Sequence, residues 1–250
     1  MNKVICVLSL VLIVAWAAAL GAEEGRWTVD LEGGVVVPGY NDVQVPNETG
    51  TRFSLKDDLK IDNKIYYRLR LGVRIGQRHG LSLLYAPLTL NAGGVLAQPV
   101  TFEGVGFGAG SAVDALYRFN SYRLTYRYRL VGTPNLNLWL GLTAKIRDAE
   151  ISLSSGALKS TKTNVGFVPL LHLYLKWKWT KRWGFIFEAD ALAAKQGRAE
   201  DVSAAIFYHL GPNWALKTGY RLVEGGADVD EVYNFALINY WYAGILIHLP

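Results

Sequence analysis

Polar and apolar residues alternate in steps of two along most of this chain after residue 24. The stretch RLTYRYRL shows it best. Arg123, Thr125, Arg127 and Arg129 share one face, and Tyr122, Leu124, Tyr126, Tyr128 and Leu130 share the other. A period of two is the signature of a β-strand, whose successive side chains point to opposite sides. The pattern predicts strands near 25–37, 63–77, 80–91, 117–131, 136–153, 164–179, 182–195, 200–210, 213–224 and 232–249, with no amphipathic helix between them. In 63–77, Ile65, Tyr67, Leu69, Leu71, Val73 and Ile75 oppose Lys64, Arg68, Arg70 and Arg74. In 164–179, Val165, Phe167, Leu171, Leu173, Leu175 and Trp177 oppose His172, Lys176 and Lys178.

Connections extend this picture. QRHG (Gln77–Gly80), VGTPN (Val131–Asn135), TKR (Thr180–Arg182) and GPN (Gly211–Asn213) read as tight turns. They alternate with longer stretches at Pro38–Asp62, Asn91–Leu116, Ser154–Thr163, Gln196–Glu200 and Val223–Glu231. Most strands exceed the roughly 9–11 residues needed to cross a bilayer at a tilt. Short turns at one end, longer loops at the other and an even strand number are the pattern of a closed transmembrane barrel. The expected fold is therefore an all-β, antiparallel, up-and-down transmembrane β-barrel of about ten strands, with eight or twelve as alternatives. Two irregularities are expected: a bulge at Pro87, and a second near Arg147–Asp148 that turns Ala149, Ile151 and Leu153 outward.

Aromatic residues sort by end. Trp27, Tyr128, Trp177, Trp179, Trp183 and Trp214 fall beside the short turns, and Tyr67, Phe167, Tyr220 and Phe235 fall at the opposite ends. Two such belts are what amphipathic rings form at the two membrane interfaces. At the N-terminus, Lys3, an apolar run and small residues read as a secretory signal peptide over residues 1–22, leaving 23–250 as the barrel. The single cysteine, Cys6, lies in that leader, so disulfides and thiol chemistry are excluded from the rest. A net charge of +5 without basic blocks gives no reason to expect nucleic acid.

On these features residues 23–250 resemble small bacterial outer-membrane β-barrel proteins, at the level of architecture and of no one characterised family. The resemblance implies a Gram-negative outer membrane with both termini periplasmic. It implies outer-membrane lipids, lipopolysaccharide and the barrel assembly machinery as partners, and no cofactor. The last residues depart from it: ILIHLP places Leu249 and Pro250 where such barrels carry an aromatic residue. The catalytic signatures of omptin proteases and barrel lipid A deacylases are not found.

With the apolar faces toward lipid, the charged faces line the lumen. Its expected basic cluster is Arg68, Arg70, Arg74, Arg123, Arg127, Arg129, Lys145 and Arg147, with Lys176, Lys178, Lys217 and Arg221 added. Expected acidic partners are Asp30, Glu32, Glu188 and Asp190, with Glu150 and Asp201. Side chains of this size fill a narrow barrel, and a small anionic solute is the partner such an interior would favour. Pairing Trp179 with Trp183 puts His172 opposite Asp190, a structural hydrogen bond or, alternatively, a general-base pair. Asp228, Asp230 and Glu231 are weak metal candidates, since clustered carboxylates suit calcium but the EF-hand spacing is absent. GVGFGAG (Gly104–Gly110) lacks the phosphate-loop spacing and reads as a flexible extracellular loop. Two function classes follow: a non-enzymatic barrel, structural, surface-interacting or a narrow anion-favouring pore; and a barrel enzyme acting on lipid or an extracellular substrate.

Overall fold

A computed structural model describes residues 26–250, and the leader predicted over 1–22 lies outside the described residues. Fifteen strands follow one another: β1 (Trp27–Gln44), β2 (Phe53–Ser54), β3 (Lys60–Ile61), β4 (Lys64–Ile75), β5 (His79–Ala86), β6 (Thr89–Val95), β7 (Val100–Phe102), β8 (Val105–Phe107), β9 (Ala112–Gly132), β10 (Leu136–Ser155), β11 (Leu158–Lys178), β12 (Trp183–Ala194), β13 (Gly197–His209), β14 (Trp214–Val229) and β15 (Val232–Leu249). No helix occurs among the described residues. Each long strand pairs antiparallel with its sequence neighbour, and β15 returns to β1. With β5 and β6 as two halves of one strand, the result is a closed ten-stranded antiparallel barrel. Closure leaves no open sheet edge, the condition for crossing lipid with strands.

The period-two pattern resolves into two faces. Ile65, Val165 and Phe167 are 82%, 71% and 65% exposed on the outside, whereas Arg68, Arg123, Asp190 and Arg221 are buried inside. Such an inversion is stable only where the surrounding solvent is apolar. Both described ends lie at the short-turn end: Trp27 pairs with Leu249 and Val73, beside the turns at 76–78, 133–135, 179–182 and 210–213.

Four expectations are corrected. Three connections read as loops are tight turns between longer strands: Ser155 pairs with Leu158, Ala194 with Gly197, and Val229 with Val232. Their polar composition suggested loops, but a ladder projecting past the apolar band tolerates polar residues on both faces. At Pro87 the ladder is interrupted without a bulge. Ala86 faces Ser121 and Thr89 faces Arg118 in unchanged register, and Leu88 N–H donates to Asn120 Oδ1 (3.1 Å). The expected bulge near Arg147–Asp148 is absent; β9 and β10 slip instead at Leu138/Trp139, by the short turns. Ile151 and Leu153 consequently point inward, into an apolar core. That core also explains the fourth correction. GVGFGAG is not a free loop, because it supplies Gly104 of the turn and all of β8 to the β7–β8 hairpin, with Phe107 buried. Its two-residue turn holds Glu103 at φ 48° and Gly104 at φ 75°, the left-handed pair that a tight hairpin requires.

The core sits inside the far half of the barrel. Segment 45–62 contributes Val45, Phe53, Leu55 and Leu59, and segment 96–107 contributes Leu96, Phe102 and Phe107. They pack against wall residues Val36, Val43, Leu90, Val113 and Ile238. Thr51 N–H donates to Thr101 O (2.9 Å), Glu103 N–H to Val45 O (2.9 Å), and Ser160 Oγ to Phe102 O (3.1 Å). Each large apolar side chain buried there contributes about 1.5–3 kcal/mol.

Leu71→Arg is expected to cost about 2–4 kcal/mol at the lipid face and Leu71→Ala much less, measured by urea titration of the chain folded into phosphatidylcholine vesicles. Phe102→Ala is expected to remove about 3–5 kcal/mol and to open segment 96–111 to limited proteolysis while the barrel strands stay protected.

Candidate functional site: the charged lumen

At mid-height the inward positions of seven strands carry charge. Cross-strand register puts Glu32 beside Arg68 and Asp30 beside Arg70 across β1–β4, and His172 beside Asp190 and Tyr174 beside Glu188 across β11–β12. It also sets Asp190 directly against Asp201 across β12–β13. Two like charges in direct opposition destabilise a sheet, so this pair requires a cation from elsewhere. Arg123 supplies it from β9. Its Nη1 donates to Asp190 Oδ2 and its Nη2 to Asp201 Oδ2, both at 2.7 Å, while Nε donates to Ser121 Oγ (2.9 Å).

Other guanidinium groups bridge in the same way. Asp201 also accepts from Arg68 Nη2 (2.9 Å) and Arg221 Nη1 (2.6 Å). Arg221 Nη2 donates to Glu32 (3.0 Å) and lies 3.6 Å from Glu188. Lys217 Nζ joins Asp30 and Glu32, 2.7 Å from each. Arg70, from β4, pairs with Glu188 on β12. The acids Asp30, Glu32, Glu188, Asp190 and Asp201 thus meet the bases Arg68, Arg70, Arg123, Lys217 and Arg221. Those five acids balance those five bases. Charged groups withdrawn from water are tolerated when paired and hydrogen-bonded in this way.

Cations beyond this balance are held by aromatic rings. Arg127 lies over Trp139 (4.9 Å) and Tyr174 (4.6 Å), and Lys145 lies over Phe119 (4.7 Å). Ring faces attract cations more strongly where water is excluded. Among the remaining basic positions, Arg129 lies over Trp139 at 5.5 Å, and Arg74 holds the short-turn end, its N–H donating to Arg26 O. Arg147 sits higher, on the inner face of the β10–β11 hairpin, where Nη2 donates to Asn164 Oδ1 (2.6 Å). Glu150, expected inward, pairs with Arg118 (2.7 Å) at the far rim.

His172 Nδ1 is 2.8 Å from Asp190 Oδ1, which also accepts from Thr143 Oγ1 (2.8 Å). Histidine and aspartate are 3% and 2% exposed, beneath the apolar plug. The geometry orients the imidazole, and the same carboxylate is engaged by Arg123. Asp228, Asp230 and Glu231 are not gathered into a site. Asp228 accepts from Asn47 Nδ2 (2.7 Å), the Asp230 carbonyl from Asn47 N–H (3.1 Å), and no three-ligand cluster occurs among the described residues. Trp27, Trp177, Trp179 and Trp183 are 45–50% exposed on the outer face at the short-turn end. Tyr128 and Trp214 complete that belt, half-buried. At the far end, Tyr85 stacks on Tyr122 and Tyr220 packs against Trp241. Sequence reasoning did not single out Thr143, Ser203, Tyr66, Tyr240 or Tyr242, although the even parity of β15 signals the last two.

Arg123→Met is expected to cost about 3–5 kcal/mol, since it leaves Asp190 facing Asp201 without their bridge. Urea unfolding in vesicles should show it, and a second change, Asp201→Asn, should recover part of the loss.

No family model matches the chain, and a search of curated proteins finds no match. Solved structures do resemble it. The outer membrane protease OmpT from Escherichia coli aligns with a TM-score of 0.56 at 10% identity, over 92% of this chain and 99% of that one. OprG from Pseudomonas aeruginosa gives 0.42 at 13% identity (90% and 98% covered), and Ail of Yersinia pestis 0.36 at 11% (90% and 99%). At these identities the likeness is one of fold alone: the chain has the architecture of a small, closed bacterial outer-membrane β-barrel.

Proposed function

We propose that this chain is a non-enzymatic outer-membrane barrel with a sealed lumen, whose role is structural or carried by the surfaces it presents at its two ends. The observation that carries this reading is the filled interior. Segments 45–62 and 96–107 plug the far half with apolar side chains. The ion-pair network fills the middle, and Ile186, Phe207, Ala215 and Leu246 pack below it. A water-filled pore needs a continuous polar path, and these layers interrupt one. The inverted outer face and two aromatic belts support membrane insertion, and the architecture of the similar structures supports the outer membrane as its location. We place the short-turn end, with both termini, in the periplasm.

Planar-bilayer recording is the test, with no steady conductance expected from the wild type. Arg70→Ala, Arg127→Ala and Arg129→Ala together are expected to leave it closed, because the apolar plug lies above them. Replacing 98–109 by a short Gly-Ser link should leave it closed as well, because segment 45–62, the ion-pair network and the layer of Ile186, Phe207, Ala215 and Leu246 remain. A large wild-type conductance would overturn the sealed reading.

A further inference from the structure

The barrel wall is not of even height at its far end. β11 pairs with β10 along almost its whole length, from Leu158 opposite Ser155 to Trp177 opposite Leu136. With β12 it pairs only from Leu171 opposite Ala191 to Lys178 opposite Gly184. Over Leu158–Leu170, no strand of the described residues joins the other side of β11. The β7–β8 hairpin comes near, but it forms a sheet of its own.

Pro169 explains where the ladder stops. Lys178 N–H donates to Asn135 O (2.7 Å) on the β10 side, and Trp179 N–H donates to Trp183 O (3.2 Å) on the β12 side. Backbone groups alternate in direction along a strand, and the β10–β11 register runs without a shift. The odd-numbered residues of β11 therefore point toward β12. One more bonded pair would need the N–H that Pro169 lacks. Beyond it, the N–H and C=O groups of Lys159, Thr161, Thr163, Val165 and Phe167 line a straight edge, and their side chains are exposed on the outer face. The inward side chains between them are engaged from behind. Ser160 Oγ donates to Phe102 O (3.1 Å), Lys162 pairs with Glu103 (2.7 Å), and Asn164 accepts from Arg147 (2.6 Å). Register also fixes the height of this edge. Phe167 faces Ile146, which faces Tyr122 of the far-end belt, so Lys159–Val165 project past the apolar band into water. A long open edge of this kind is a template for another extended chain.

We propose that the free edge of β11 takes up an extended segment of a partner protein, which adds a strand to the wall above β12. The ladder that β12 leaves incomplete then continues onto the guest. Composition selects that guest. Segment 158–170 holds Lys159 and Lys162 and no Asp or Glu, so a second copy of the same edge would bring like charges together. A strand with a carboxylate beside Lys159 and β-branched residues beside Thr163 and Val165 complements it. Such capture is one way for a sealed barrel to act through its ends, and it rests on that reading for the far end lying outside the cell. Conductance decides whether the lumen is sealed, and strand capture is read without it.

The test uses the full barrel in phosphatidylcholine nanodiscs. The probe is a synthetic nonapeptide of alternating valine and threonine that ends in glutamate, so that antiparallel pairing brings the carboxylate to Lys159. Amide hydrogen exchange is read by NMR with and without it. In the free barrel the amides of Thr161, Thr163 and Val165 should exchange fast, and those of Lys162 and Asn164, bonded to β10, slowly. Peptide should slow the three odd-numbered amides about ten-fold or more and leave the other two unchanged. The same peptide N-methylated along its bonding edge should change none of them. Thr161→Pro with Thr163→Pro removes two edge donors that β10 does not use, and should weaken binding of dye-labelled peptide about ten-fold or more. Thr161→Ala with Thr163→Ala keeps those donors and should bind as the wild type does. Heat-modifiable migration checks folding; if the proline variant fails it, the N-methylated peptide carries the comparison on the unaltered barrel. No slowing at millimolar peptide, or equal slowing by the N-methylated form, would overturn the proposal. So would odd-numbered amides already protected in the free barrel together with disulfide-linked dimers of Thr163→Cys, since a second copy would then hold the edge.

Discussion

Two facing carboxylates, Asp190 and Asp201, set the terms for the interior of this barrel. Side by side on adjacent strands and away from water, they are tolerated only with cations between them. Arg123 reaches both from β9, and Arg68 and Arg221 reach Asp201 from β4 and β14. The bonds of Arg123 and Arg68 join strands that are not neighbours in the wall, and that of Arg221 adds a brace between the adjacent β13 and β14. The network therefore acts as a set of struts across the lumen, filling space that backbone ladders alone would leave empty. The five acids matched by five bases keep that space near neutrality.

The two halves of the interior are completed by different chemistry. Toward the far end the wall residues turn apolar, as with Val36, Leu90, Ile151 and Ile238, and two returning segments fill the space between them. Toward the short turns, aromatic rings take over: Trp139 and Tyr174 hold Arg127, and Phe207 lies under Lys176. Basic positions there stand on alternate strands with small residues between, as where Lys178 faces Gly184.

Much of the fold was legible in the sequence. The period-two faces, the number of crossings, the end at which both described ends lie and the pairing of His172 with Asp190 all follow from local rules. A tight turn fixes register, and register fixes which residues oppose one another. Arg70 and Leu71 illustrate the reading at its strongest: adjacent in sequence, they face opposite solvents because of parity alone.

Where the reading failed, the deciding contacts were remote. Ile151 and Leu153 keep the inward parity of Lys145, yet their apolar character suggested lipid, because nothing local indicates a core inside the barrel. GVGFGAG looked like a free loop, because Phe107 is buried in a core built with segment 45–62 and wall residues remote in sequence. Polar stretches such as SSGALKSTKT looked like loops, because a projecting ladder has no apolar face to betray it. By itself the sequence determined the strands, their faces and their neighbours, since alternation and turn chemistry act over a few residues. Only the tertiary structure decided which charges meet across the lumen and what closes it, because those contacts join strands that neither adjacency nor register connects.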